Sequence, residues 1–220
     1  MKFYKQEVQM SFKMPAVIYM GESTGETSYY PLHWHDNIEF VLVLQGYMKG
    51  KINRKEVVIN ESELFFVNSE ELHETRAIKN MYSITILISY DLFKEYCSDI
   101  EEYYFDLKSN KYAEKRIKAL IYKCALIHKE KDDFYELEIS ILLREISLIL
   151  LKECRKKREK LNYASYDKKS ISVIKKAVSY MEKNYENNIT LKDISDEIGM
   201  APTYFARFSR IILEIHSIAI

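Results

Sequence analysis

Four side chains in the first third of the chain could bind a metal ion or a polar ligand. His33 and His35 are two residues apart, and residues two apart in a β-strand point to the same face. Glu39 has the same parity, and His73 supplies a third imidazole further along. Three imidazoles and a carboxylate suit a divalent transition metal such as Fe, Mn, Ni or Zn. The same groups could instead line a polar pocket for a small organic molecule, or pair with one another inside a β-barrel.

The elements that must position these side chains are short β-strands, between about residues 17 and 89. Ile38–Leu44 is a β-rich run closed by Gln45 and Gly46, and the segments 49–53 and 56–59 flank Arg54 and Lys55 as the strands of a hairpin would. Further strand patterns cover residues 63–68 and 81–89. Short strands at even spacing predict a β-sandwich or a small barrel.

A helical period replaces the strand pattern from about residue 91 to residue 160. One helix predicted in this segment, from about Phe134 to Arg155, is apolar on two faces. Such a helix is covered on two sides, one of them the barrel. The second cover is either a neighbouring helix of the same chain or a second copy in a homodimer. The first stripe is Leu137, Ile141 and Leu148; the second is Ile139, Leu142, Leu143, Ile146 and Leu150.

A polar linker over residues 162–170 precedes a pattern typical of two helices that cross at a tight turn. Thr190 is placed to cap a helix, with Asp193 three residues on as its capping-box partner. Gly199 suits the left-handed backbone of the turn, and Pro202 suits the first turn of the next helix.

The helix that follows Pro202 would present donors on its outer face. Ala201, Phe205, Phe208 and Ile212 share the face assigned to the core, and the opposite face carries Thr203, Arg207 and Arg210. A helix docked in this way has the form of a recognition helix for the DNA major groove. Arg207 could contact a guanine edge, and Arg210 a phosphate. A helical hairpin with exposed arginines is the alternative.

The segment ITLKDISDEIGMAPTYFARFSR resembles the first helix-turn-helix of the AraC family of transcription regulators, and the similarity covers roughly residues 172–210. The resemblance implies DNA contacts by Thr203, Tyr204, Arg207 and Arg210. Ala201 stands where the family has a serine N-cap, a loss of about 1 kcal/mol of helix stability. The family also has a second helix-turn-helix, whereas IILEIHSIAI after Arg210 does not resemble it. We therefore expect a DNA-binding domain that is truncated.

The spacing of His33, His35, Glu39 and Gly46 resembles the first sequence motif of the cupins, and His73 after ELFFVNSEEL resembles the histidine of the second. Ser62 and Ser69 stand near the places of the glycine and proline that frame that second motif. Sensing domains of the AraC family bind small organic effectors. We therefore assign His33, His35, Glu39 and His73 to effector binding, with a divalent metal as the alternative. Four tyrosines of the same region could stack on a sugar effector, or belong to the core: Tyr29, Tyr30, Tyr47 and Tyr82.

Composition excludes several classes of protein. The 33 basic and 33 acidic residues cancel, so net charge does not indicate nucleic acid. Residues 152–169 hold eight basic against three acidic side chains, a run that could contact phosphate or simply be solvated. Three widely spaced cysteines fit neither a zinc knuckle nor a disulfide framework. No signal peptide or membrane span is visible, and we expect a cytoplasmic protein.

The sequence thus predicts an α+β chain with four segments. A cupin-like barrel, or double-stranded β-helix, covers residues 1–90, a helical interdomain and dimerisation segment 91–160, a linker 161–170, and a partial helix-turn-helix 171–220. The predicted function is that of a regulator, not an enzyme, which binds double-stranded DNA as a homodimer and responds to a small-molecule effector. The alternatives are a metal-dependent cupin enzyme and a truncated regulator that senses or dimerises without binding DNA.

Overall fold

A computed structural model describes residues 4–11, 13–23, 29–52, 55–78, 80–158, 173, 176–181 and 183–206. The chain divides into two compact units, residues 3–158 and residues 159–220 together with the first two residues. Each unit is described by itself.

The first unit contains two larger β-sheets and one short strand pair. The five-stranded sheet has the order β1-β3-β8-β5-β6, and the four-stranded sheet has the order β2-β9-β4-β7. Neighbouring strands are antiparallel except β1 and β3, which are parallel. The strands are β1 (Tyr4–Lys5), β2 (Ala16–Ser23), β3 (Tyr29–Trp34), β4 (Ile38–Gln45), β5 (Tyr47–Ile52), β6 (Lys55–Asn60), β7 (Leu64–Val67), β8 (His73–Ala77), β9 (Met81–Ile88), β10 (Tyr103–Phe105) and β11 (Arg155–Lys157).

The two larger sheets pack face to face because alternate residues of their strands are apolar. Met48 and Ile59 of the five-stranded sheet and Val41, Val43 and Phe65 of the four-stranded sheet belong to one buried cluster. The predicted antiparallel β-structure is therefore present, including the hairpin of β5 and β6, whose ladder runs from Tyr47–Asn60 to Ile52–Lys55.

Helices cover the other face of the four-stranded sheet. The larger core cluster joins the outward residues Ile38, Phe40 and Leu42 of β4 to side chains of the helices. Strand β4 is thus buried on both faces along Ile38–Val43, which explains its nearly continuous apolar sequence. The helices are α1 (Tyr90–Lys94), α2 (Lys111–Glu130) and α3 (Tyr135–Ile149), with 3₁₀ turns at Ile100–Glu102 and Leu107–Ser109 and a π-helical turn at Leu150–Cys154.

The two apolar stripes of α3 have different environments. The stripe of Ile139, Leu142, Leu143, Ile146 and Leu150 is buried, as a core-facing stripe should be. Leu137, Ile141 and Leu148 of the other stripe are 61%, 58% and 50% exposed. The described part of this chain therefore does not supply the second cover that the sequence predicts.

Two strands lie inside the segment that the sequence predicts to be helical. The helix pattern ends with the π-helical turn at Cys154, and Arg155–Lys157 then pairs antiparallel with Tyr103–Phe105. Three residues are too few to give a readable strand period, so this pair is formed by tertiary contacts.

The second unit contains helix at the described residues 176–181, 183–184, Leu191–Glu197 and 202–206, with turns or irregular backbone at residues 185–190 and 198–201. The predicted capping box is confirmed: Asp193 N–H donates to Thr190 Oγ1 at 3.2 Å, and Thr190 N–H donates to Asp193 Oδ2 at 2.8 Å. Gly199 has the predicted positive φ, +67°. Phe205 is buried as predicted, but Ala201, which the sequence pattern assigns to the same core face, is exposed because it precedes the helical segment 202–206. Arg207, Phe208, Arg210 and Ile212 lie outside the described residues. Among the described helices, none has the length and apolar character needed to cross a membrane.

Gly50 on β5 gives a direct test of the packing between the sheets. A Cβ atom at this position would lie 2.6 Å from Cε2 of the Phe65 ring and 3.1 Å from Cδ1 of Ile59. We expect Gly50→Ala to lower the free energy of unfolding by about 1–3 kcal/mol, since overpacking forces neighbours out of place. Urea denaturation measures this change.

Gly21 on β2 is the matched control, because a Cβ there would meet nothing within 4 Å. Gly21→Ala should change the stability by less than about 1 kcal/mol. Phe65→Leu introduced with Gly50→Ala should recover part of the loss. Equal losses for both glycine substitutions would show that the Phe65 ring is not the cause.

Candidate functional site

The four side chains singled out from the sequence meet at one place between the two larger sheets. His33 lies on β3 directly opposite His73, the first residue of β8. His35 follows β3, and Glu39 is the second residue of β4. All four are buried. Because strand side chains alternate, Glu39 shares the inward face of β4 with Val41 and Val43, while its neighbours Ile38 and Phe40 face the helices.

Glu39 connects the imidazoles. Its Oε2 atom lies 2.8 Å from Nε2 of His35 and 3.2 Å from Nε2 of His73. The ring centroids of His33 and His73 are 4.1 Å apart, and one potential ligand atom from each of the four residues lies within 4.8 Å of the others. We call these four residues the histidine cluster.

Backbone carbonyl groups orient the three rings. Nδ1 of His33 lies 2.8 Å from the Pro31 oxygen, and Nδ1 of His35 lies 3.2 Å from the Asn37 oxygen. Nδ1 of His73 lies 2.7 Å from the Glu71 oxygen. A carbonyl oxygen can only accept, so each Nδ1 carries the hydrogen. The lone pairs of neutral rings are consequently left on the Nε2 atoms.

The contacts between Glu39 and two Nε2 atoms therefore require positive charge. A carboxylate and an unprotonated Nε2 are both acceptors, so a proton or a cation must lie between them. Burial by itself would raise the pKa of Glu39, but its hydrogen bonds with His35 and His73 outweigh this effect and hold the pKa below its usual range. The carboxylate is thus the fixed negative charge of the cluster.

His33 has a different electrostatic environment. Burial, followed by the electrostatic effect of the adjacent His73, lowers the pKa of His33 to about 4. The ring is therefore neutral at pH 7 and can accept a hydrogen bond or bind a metal ion through Nε2.

The surroundings of the cluster are largely apolar. Ile52 pairs with His73 across β5 and β8, and Glu39 pairs with Val67 on one side and Leu87 on the other. Electrostatic interactions are strong in such surroundings, and a polar ligand or a metal ion would be held by few, well-fixed groups. The donor set fits a divalent transition metal in number and type, with three imidazoles and one carboxylate.

The tyrosines of the predicted sugar site are dispersed. The Tyr29 hydroxyl donates to Glu74 at 3.2 Å, and its ring stacks with Arg76. Glu74 and Arg76 alternate along β8 with the inward-facing His73, so Tyr29 lies on the outer face of the sheet, away from the cluster. Tyr47 and Tyr82 likewise alternate with the inward residues Met48 and Met81 and so point away from the cluster. Tyr30 pairs with Thr75 and is 57% exposed.

The proposed DNA-contact residues are described in part. Thr203 is exposed and Tyr204 is 52% exposed on the helical segment 202–206. Arg207 and Arg210 lie outside the described residues.

A turn beside the cluster is not predicted from the sequence. Glu70 N–H donates to the His35 oxygen at 2.9 Å, and the Asn68 side chain bonds to the backbone of Phe105. Polar residues at 68–71 are typical of any surface turn, so nothing in the sequence indicates that Asn68 is buried or that its partner lies in β10.

Comparison with known proteins identifies the first unit. The family model described as AraC-like ligand binding domain matches residues 15–147, more than half of the chain. An uncharacterised HTH-type transcriptional regulator of Bacillus subtilis, YdeC, is 28% identical over 179 residues, which cover 76% of this chain and 60% of that protein.

Two further similarities are more limited. An L-seryl-tRNA(Sec) selenium transferase of Campylobacter jejuni is 29% identical over 135 residues, which cover 60% of this chain and 28% of that enzyme. The crystal structure of the AraC-like transcriptional activator CuxR covers 76% of this chain and 58% of that one, at 16% identity and a TM-score of 0.41. The chain thus spans about 60% of the length of the regulator YdeC.

Proposed function

Because the chain belongs to the family of AraC-like ligand binding domains, we propose that it is a transcription regulator, not an enzyme, that responds to a small-molecule effector and binds double-stranded DNA. The observation that carries this proposal is the buried histidine cluster inside the family domain, in a chain that continues into a separate helical unit. Its homologue YdeC, by name an HTH-type regulator, supports the same function.

DNA binding is assigned to the second unit. The capped helix Leu191–Glu197, the positive φ of Gly199 and the buried Phe205 support a pair of helices in which the second is held against the first. Thr203 and Tyr204 are exposed on that second helical segment. Arg207 and Arg210 follow in the sequence at the spacing of the same face, and the guanidinium of Arg207 suits a guanine edge.

Fluorescence anisotropy tests this assignment. The full chain is titrated onto DNA from its own upstream region and onto scrambled DNA at two salt concentrations. We expect tighter binding to the first DNA, weakened by salt, since each phosphate contact releases counterions. Arg207→Ala should weaken specific binding about tenfold to a hundredfold, the value of one bidentate base contact.

Lys115→Ala is the control for the loss of one positive charge, because Lys115 is exposed on α2 of the other unit. It should leave the affinity for specific DNA unchanged. Equal, weak binding of the full chain to both DNAs would contradict the assignment and would leave a protein that senses or dimerises without binding DNA.

The histidine cluster is assigned to a small organic effector. Its polar atoms are few, buried and fixed by backbone carbonyl groups, and apolar side chains pair with them in register, which is the usual composition of a ligand pocket. A ligand with a hydrogen-bond donor or a positive charge could replace the protons that Glu39 requires. Binding would then shift the population between conformations of the regulator.

A divalent transition metal is the second candidate for the same site. The observation that favours it is the common orientation of the rings of His35 and His73. In both rings Nδ1 faces a carbonyl oxygen and Nε2 faces the carboxylate of Glu39. Carbonyl groups orient metal-binding histidines in this way. His33, His35, Glu39 and His73 would hold the ion, which would supply Lewis acidity in the alternative of a cupin enzyme.

Metal analysis of the purified full chain distinguishes the two candidates. On the effector assignment, we expect metal well below one equivalent after dialysis, and the same low content in His73→Gln. His128→Gln is the control, because His128 is a half-buried histidine of α2 outside the cluster. One equivalent of metal that is kept in His128→Gln and lost in His73→Gln would contradict the effector assignment and establish the metal.

A homodimer is proposed to form through the exposed stripe of α3. Leu137, Ile141 and Leu148, with Phe134 before them, place four large apolar side chains on one exposed helix face. Such a stripe at spacings of three, four and seven residues is typical of a helix that packs on another helix. A second copy of α3 is the occupant that the charges favour.

The charges are complementary in an antiparallel pair centred on Ile141. Glu138 precedes and Arg144 follows Ile141 by three residues, so Glu138 would face Arg144 of the partner subunit. Phe134 and Leu148 lie seven residues to either side and would also face each other. The arrangement is self-complementary, as two-fold symmetry requires.

Analytical ultracentrifugation at micromolar concentration tests the dimer. We expect a dimer for the unchanged chain and a monomer for Ile141→Glu, which would bury a charge in the interface. Glu138→Arg and Arg144→Glu should each weaken the dimer, and the double variant should restore it. Val58→Glu, an exposed aliphatic position on β6, is the control. A monomeric unchanged chain would exclude the proposed interface.

A further inference from the structure

The turn at residues 68–71 touches the histidine cluster at two points. His73 Nδ1–H donates to the Glu71 oxygen at 2.7 Å, and Glu70 N–H donates to the His35 oxygen at 2.9 Å. Two of the four cluster residues therefore hold the turn directly. A movement of the His73 ring or of the His35 backbone thus changes a hydrogen bond of the turn.

The turn itself has a costly conformation that its contacts maintain. Glu70 has a φ of 63°, in the left-handed region that a residue with a Cβ avoids. Glu71 N–H donates to the Asn68 oxygen at 3.1 Å, and Asn68 N–H donates to Glu71 Oε2 at 3.0 Å. Such a conformation persists only while its surroundings fix it, so loss of an anchor should loosen the whole turn.

The other side of the turn holds strand β10 through one buried amide. Phe105 N–H donates to Asn68 Oδ1 at 2.7 Å, and Asn68 Nδ2 donates to the Phe105 oxygen at 3.1 Å. Both residues are buried. The Asn68 side chain thus takes the place of a neighbouring strand and satisfies both backbone groups of Phe105, which would otherwise be buried without partners.

Strand β10 in turn holds β11, where the chain leaves the first unit. Phe105 pairs with Arg155 and Tyr103 with Lys157, and Asp106 N–H donates to the Cys154 oxygen at 2.9 Å. Arg158, the last residue of the unit, donates its N–H to the Glu102 oxygen at 2.7 Å. Among the described strands, β11 pairs with β10 alone, so β10 holds the strand with which the first unit ends.

We propose that the turn at residues 68–71 transmits the state of the histidine cluster to strand β11, and that Asn68 is the positioning residue of this connection. The proposal deepens the effector-responsive function proposed above. An occupant that draws His35 or His73 toward itself changes the anchors of the turn, the turn moves Asn68, and Asn68 determines how firmly β10 and β11 are paired.

Two substitutions of His73 separate its two hydrogen bonds. The amide of asparagine reaches about as far as Nδ1, so His73→Asn can keep the bond to the Glu71 oxygen. The amide of glutamine reaches about as far as Nε2, so His73→Gln keeps the contact with Glu39 and loses the anchor of the turn. The readout is amide hydrogen exchange of the full chain, followed in peptides that cover residues 103–106 and 155–158.

We expect His73→Gln to make these amides exchange about fivefold faster, the effect of one lost hydrogen bond on local opening. His73→Asn should change the exchange rates of the same amides by less than about twofold, because it keeps the hydrogen bond to the Glu71 oxygen. Amides of α2 should be unchanged in both variants. Asn68→Ala should accelerate the same peptides, and His73→Gln should add nothing further in that background.

Asn110→Ala is the matched control for a purely structural loss. Asn110 donates through Nδ2 to the Glu153 oxygen at 3.4 Å and caps α2 by accepting from the Ala113 N–H at 3.0 Å, but it has no bond to the turn. Asn110→Ala should therefore also accelerate exchange in the first turn of α2, which His73→Gln leaves unchanged. In the double variant, the fold-accelerations of exchange caused by Asn110→Ala and His73→Gln should multiply, because the free-energy changes of independent sites add.

Unchanged exchange of residues 103–106 and 155–158 in His73→Gln would overturn the proposal. So would equal acceleration of all amides, or multiplying effects of His73→Gln and Asn68→Ala. Since the experiment uses no DNA and no effector, failure of the chain to bind either would count against the proposed function and not against this connection.

Discussion

The burial of β4 on both faces is the constraint on which the rest of the first unit depends. Its outward residues Ile38, Phe40 and Leu42 are part of the core shared with the helices, and its inward residues Val41 and Val43 fill the space between the sheets. A shift of one residue would exchange the two sets and place the carboxylate of Glu39 against the helices. The packing that stabilises the fold therefore also fixes the side on which the charge lies.

Burying the carboxylate of Glu39 destabilises the folded state unless it is paired, and its neighbours explain why the fold tolerates it. A buried carboxylate without partners costs far more than the surrounding apolar contacts provide. Two imidazole nitrogens within 3.2 Å offset that cost only if a proton or a cation lies between the acceptors. The first unit thus contains a built-in requirement for a positively charged or hydrogen-donating group, placed where apolar walls strengthen its interactions.

Local pattern was enough to predict part of this arrangement. Residues 33, 35 and 39 share a parity, and parity follows from the strand period alone. The contribution of His73 depends on the pairing of β3 with β8, two strands about 40 residues apart in sequence whose register no local period reveals. The resemblance to a known motif supplied what periodicity could not. The capping box of Thr190 and the turn at Gly199 were predictable because both are local backbone chemistry.

What the sequence could not provide is the distinction between chemically similar residues in different tertiary contexts. The two stripes of α3 both consist of leucine and isoleucine, yet only one belongs to the core shared with the sheet and α2. Asn68 is likewise an ordinary turn residue until β10 is placed beside it. In both cases the partner is remote in sequence, and side-chain type alone does not encode it.

The distribution of stiffness in the first unit determines where a response to a ligand can appear. Strand β4 lies between two packed clusters, and a core packed to native density resists gradual displacement. The outward route from Glu39 through Phe40 to the helices is therefore rigid. The turn at residues 68–71 instead contains Glu70 in a left-handed conformation that is held by hydrogen bonds to two histidines. Loss of either hydrogen bond would allow the strained backbone to relax. On the connection proposed above, a rigid core beside this strained turn would direct the effect of an occupant of the histidine cluster toward β10 and β11 and not into the helices.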